Sequence, residues 1–107
     1  MRILLDENVP APLRRFFPDD SVDTVQERGW SGIENGELLK LAEAGFDVII
    51  LADKNLRYQQ NLMGRSIAIF ELPTNRWPII EPLGEQIAAA VHQCEISQYV
   101  VFELTTS

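Results

Sequence analysis

The stretch Ile3-Leu4-Leu5-Asp6-Glu7-Asn8 decides the fold class of this chain. Three consecutive apolar residues followed at once by acids read as a short strand that is buried on both faces. Such strands belong to parallel sheets covered by helices, whereas a strand wetted on one face alternates apolar and polar positions. The same pattern recurs at Phe46-Asp47-Val48-Ile49-Ile50-Leu51-Ala52, which ends in Asp53. Further strands are predicted at Val22 to Val25, Ser66 to Phe70 and Gln98 to Glu103.

Helical segments fall between these strands. Asn8 can cap a helix that has Pro10 in its first turn and uses Val9, Leu13, Phe16 and Phe17 as its inner face. Glu34 or Asn35 opens a second helix, in which Leu38, Leu39, Leu41 and Ala42 keep the helical period and Gly45 stops it. Pro78 and Pro82 make the next segment irregular, and a regular helix is predicted over Leu83 to Cys94. Lys54 to Gly64 reads as a polar loop with at most one helical turn.

Strands alternating with helices predict an α/β domain, three-layered, with a mainly parallel sheet of about five strands. Right-handed crossovers then favour strand 1 in the centre, strand 2 on one side, and strands 3, 4 and 5 outward on the other. The order reverses between strands 1 and 3, and ligands of open α/β sheets bind at the carboxyl ends beside such a reversal. Asp6 and Asp53 stand at those two ends.

The 107 residues fit one domain, 1–107. A hydrophobic content of 46% is too high for intrinsic disorder. No apolar run approaches the roughly 20 residues of a membrane span, and Met1 leads straight into the first strand without a signal-peptide pattern. The expected location is therefore cytoplasmic. The single cysteine, Cys94, permits no internal disulfide, and with one histidine, His92, the chain cannot build a Cys- or His-rich metal centre. A buried thiol and a histidine near a helix C-terminus are the expected structural roles. The net charge of −7 argues against nonspecific coating of DNA, which needs clustered Lys and Arg.

Two carboxylates at neighbouring strand ends repel each other, and without a cation one of them is pushed toward its neutral form. Lys54, Arg57 and Arg65 are near enough in sequence for a salt bridge. A divalent metal is the alternative, and oxygen-only ligands suit Mg²⁺ or Mn²⁺. Glu37, in the first turns of the second helix, approaches from the same sheet edge; taken alone it is an ordinary helix-terminal glutamate. Asp47 starts strand 3, at the opposite end, and is excluded. Acids holding one or two magnesium ions hydrolyse phosphodiesters without a His, Cys or Ser nucleophile.

These residues also resemble a family. Ile3 to Pro10, Asn35-Gly36-Glu37-Leu38-Leu39 with Ala42, and Ala52-Asp53-Lys54-Asn55-Leu56 are similar to short stand-alone prokaryotic PIN-like proteins, relatives of the VapC-type nucleases. Tyr58 to Leu62 and Leu72 to Trp77 resemble one subgroup. The resemblance implies a magnesium-dependent ribonuclease whose catalytic and metal-binding residues are Asp6, Glu37 and Asp53. It also implies an RNA substrate, an antitoxin protein as partner, and a homodimer. Two positions depart from the family pattern: Asn35 stands where many relatives carry an acid, and the fourth acid has only Glu71 nearby. Asn8, Arg57, Tyr58 and Gln59 are the candidate substrate-binding residues, since aromatics and amides read single-stranded RNA.

Two rivals remain in view. A phosphoacceptor receiver domain needs a late lysine, and the last lysine here is Lys54. A non-catalytic PIN-like module that binds RNA or protein agrees with both departures.

Overall fold

A computed structural model describes residues 1–52 and 66–103. The expected polar loop after strand 3, and with it Asp53, Arg57, Tyr58 and Gln59, lies outside the described residues. Five strands form one sheet: β1 (Arg2–Leu5), β2 (Ser21–Thr24), β3 (Val48–Leu51), β4 (Ala68–Glu71) and β5 (Tyr99–Val101). Their order is β2-β1-β3-β4-β5, and every pairing is parallel, as the apolar runs predicted. β3 and β4 are buried at all positions, while the edge strands β2 and β5 are only partly covered.

Alternation along the strands divides the core in two. Ile3, Leu5, Val48, Ile50, Ala68 and Phe70 face one side. Leu4, Ile49, Leu51, Ile67 and Ile69 face the other. Helix α1 (Asn35–Glu43) covers the second face through Leu38, Leu39 and Ala42. The first face is covered by a 3-10 helix (Ala11–Phe16), the short α2 (Trp77–Ile80), a 3-10 turn (Glu81–Leu83) and α3 (Gly84–His92). The result is three layers.

Several sequence expectations need correction. The segment after β1 is a 3-10 helix, and its N-cap is Pro10 with no side-chain cap bond, so Asn8 does not cap it. Pro10 and Pro12 each lack an N–H, which removes two donors from the first turn. The bonds that remain are tight ones, Leu13 N–H to Pro10 O at 3.1 Å and Phe17 N–H to Arg14 O at 3.0 Å. Gly45 does not end α1 by a left-handed turn; Ala44 stays right-handed and Phe46 N–H closes onto Ala42 O at 2.8 Å. β3 and β5 are shorter than predicted, β1 gains Arg2, β2 is shifted one residue earlier, and β4 begins later and runs one residue further, to Glu71.

The crossovers do not share one hand. The β1-to-β2 and β4-to-β5 connections run over the same face while moving in opposite directions across the sheet. The β2-to-β3 connection moves as the last one does but over the other face. The last crossover therefore has the opposite hand from the first two, against the strong preference for one hand throughout. Among the described residues, no helix is long and apolar enough to cross a membrane.

Candidate functional site at the carboxyl edge of the sheet

Asp6 follows the last residue of β1, an interior strand between β2 and β3. Its N–H continues the ladder to Ile50 O at 2.9 Å, so its backbone is held as firmly as the strand itself. Its carbonyl accepts Val9 N–H at 3.0 Å, and buried Val9 anchors the turn from below. The carboxyl is turned back on the chain: Oδ1 accepts the Glu7 N–H at 2.9 Å. Asp6 is only 8% exposed, which is rare for an aspartate and marks a built position. Glu7 and Asn8 are exposed in the turn.

Glu37 sits in the first turn of α1 and is exposed. Because α1 links two parallel strands, it runs back against them, and its N-terminus lies at the carboxyl edge. Asp6 and Glu37 thus share an edge, and strand alternation carries Asp6 toward the face that α1 covers.

Glu71 is the acid that sequence reasoning left unplaced. It is the last residue of β4 and is wholly buried. The registers Leu5↔Ile50, Ile50↔Phe70 and Leu51↔Glu71 bring it level with Asp6, one strand removed, on the same face. At the usual strand spacing their α-carbons stand about 10 Å apart. Tyr99 donates its hydroxyl proton to Glu71 Oε1 at 2.6 Å. The only sequence signal for this position was an acid embedded between Phe70 and Leu72.

Among the described residues, no three of His, Cys, Asp and Glu come together in a group able to hold a metal ion. Asp6, Glu37 and Glu71 therefore share an edge without forming a cluster of their own. The excluded acid, Asp47, is at the amino edge as expected, where Oδ2 accepts the Arg2 N–H at 2.7 Å.

A reciprocal box beside Asp6 was missed in the sequence although its motif, Thr24-x-x-Glu27, was legible. Thr24 N–H donates to Glu27 Oε1 at 2.9 Å, and Glu27 N–H donates to Thr24 Oγ1 at 3.0 Å. Arg14 also binds the Glu27 carboxyl, and with the Thr24 N–H it holds that group below the usual carboxylate range.

The other singled-out residues are structural. His92 ends α3, with Nε2 2.6 Å from Asp20 Oδ2. Cys94 is half-buried, its thiol donates weakly to Ala90 O at 3.6 Å, and burial pushes it up from the ordinary thiol range. Trp30 packs edge-on to Phe46, and Trp77 opens α2 under Arg15.

Fold and edge together define an α/β domain with an all-parallel five-stranded sheet and acids at its carboxyl rim. In comparisons with known proteins, no family model, no curated protein and no solved structure matches the chain.

Proposed function

We propose that this chain is a magnesium- or manganese-dependent ribonuclease of the PIN-like kind, with Asp6, Glu37 and Asp53 as its acidic ligands. The observation that carries the reading is the place of Asp6. A nearly buried aspartate directly follows β1, where the sheet order turns back on itself. Asp6 and Glu37 offer oxygen donors only, the donor chemistry that suits Mg²⁺ and Mn²⁺. When bound, such an ion supplies an acidified water and positive charge for the leaving oxygen of a phosphodiester. The Glu7 N–H fixes the carboxyl of Asp6 for that work, and Glu37 stands exposed at the same edge in the first turn of α1.

The same reading makes the chain the toxin of a toxin–antitoxin pair. Its net charge of −7 suits a basic protein partner. A second reading, a non-catalytic module that binds RNA or protein, draws on the exposure of Glu37 and on Asn35 in the same turn.

Labelled RNA incubated with Mg²⁺ or Mn²⁺ separates the two. The wild type is expected to cleave, and Asp53→Asn to lose more than about a hundredfold, since even partners outside the ligand shell are worth roughly ten- to a hundredfold. Glu37→Gln is expected to lower cleavage while changing stability by no more than about 1 kcal/mol, because it is an exposed helix-terminal charge. Binding without cleavage in all three proteins would select the second reading.

A further inference from the structure

A groove lies between the 3-10 helix and the turn after β2, on the opposite face from Glu71. Ala11, Pro12, Arg14, Arg15, Thr24 and Glu27 line an open space of about 560 Å³. It adjoins the carboxyl edge: Thr24 is in register with Leu5, the residue before Asp6, and Gln26 Nε2 donates to Glu7 O at 3.4 Å.

The two arginines hold anions already. Both terminal nitrogens of Arg14 reach Glu27, while Arg14 Nε is buried without a hydrogen-bond acceptor among the described residues. Arg15 Nη2 lies 2.9 Å from Glu81 Oε2, and its guanidinium stands 5.4 Å from the centre of the Trp77 ring. Both members of the Arg15–Glu81 pair are exposed, and exposed pairs contribute little and exchange readily. A guanidinium fork that grips a carboxylate in this way accepts a phosphate equally well. On a chain of net charge −7, two adjacent arginines beside the candidate edge offer a polyanion local positive charge once their carboxylate partners give way.

We propose that this groove binds the phosphodiester backbone of single-stranded RNA running into the Asp6 edge, with Arg14 and Arg15 as the phosphate contacts. Glu27 occupies Arg14 in the free protein and is displaced by the phosphate. Ala11 and Pro12 supply an apolar wall for the sugar. The choice of RNA rests on the ribonuclease reading; the groove itself does not depend on cleavage.

The test is fluorescence anisotropy of a short labelled oligouridylate in EDTA, where metal-dependent cutting cannot contribute, across a range of salt. Arg15→Ala is expected to weaken binding several-fold and to reduce the slope of log K against log salt by about 0.7. Arg14→Lys, which keeps the charge and loses the fork, is expected to weaken it as well. Glu27→Gln retains an acceptor for the Thr24 N–H, removes the competing charge, and is expected to tighten binding. Unchanged affinity and salt slope in both Arg15→Ala and Glu27→Gln, with melting temperatures like the wild type, would overturn the groove. Tighter binding of oligothymidylate than of oligouridylate would overturn the assignment to RNA. If the variants respond as expected but Mg²⁺ produces no cleavage, only the nuclease reading fails.

Discussion

The phenol of Tyr99 donates a 2.6 Å hydrogen bond to Glu71 Oε1, and the carboxyl that accepts it is fully buried at the end of β4. The bond ties the edge strand β5 to its neighbour through side chains as well as backbone. Removing one donor from a buried carboxyl costs about 1–3 kcal/mol. Tyr99→Phe should therefore lower stability in urea by that amount without changing the slope of the transition. A loss under about 0.3 kcal/mol would show that the bond contributes nothing net.

Asp20 joins three elements at the opposite edge. Its Oδ1 is 3.3 Å from the amino group of Met1 and its Oδ2 2.6 Å from His92 Nε2, with the side chain 8% exposed. Burial by itself raises this carboxyl, but the hydrogen bonds and positive charges of His92 and the amino group outweigh it and hold Asp20 below its ordinary value of 3.8. A carboxyl depressed in the folded state stabilises the protein above its unfolded pKa, and that stability is lost as pH falls through the folded value. Asp20→Asn should cost about 1.5–3 kcal/mol at neutral pH. Its stability should then meet that of the wild type as pH falls well below the ordinary carboxylate value of about 3.9. Parallel curves down to that pH would contradict the assignment.

Gly84 begins α3 under the ring of Phe16. A Cβ built on it would stand 2.3 Å from Phe16 Cε2. Phe16 also packs on Trp77, with ring centres 6.4 Å apart, so it cannot swing freely. Gly84→Ala should destabilise by about 1–3 kcal/mol through overpacking, offset in part by the better helix propensity of alanine. A raised melting temperature would show that the Phe16 ring yields at no cost.

How much was readable in the sequence follows from how local each cause is. Ile3 to Leu5 and Val48 to Leu51 carry their double burial in consecutive letters, so the parallel sheet and its order were legible. A helix after β1 is legible from Pro10 and the apolar spacing at Leu13 and Phe17, but that spacing fits an α-helix and a 3-10 helix alike, so its tighter winding is not. Glu71 was not placed: the Tyr99 hydroxyl that bonds its carboxyl is 28 positions away, and no local pattern encodes that contact. The Asp20–His92 pair spans 72 positions and was equally invisible. The opposite hand of the last crossover is a property of packing, with α3 meeting Leu13 and Phe17 in one core, and no single segment announces it.

The proposed nuclease site requires Asp6 to bind a divalent cation at the carboxyl edge. Calorimetric titration of Mn²⁺ into the metal-free wild type and into Asp6→Asn, with melting temperatures recorded alongside, tests it most directly. Saturable binding and a raised melting temperature in the wild type, both absent in Asp6→Asn, is the predicted result. Equal binding by the two proteins, or none by the wild type, would contradict it.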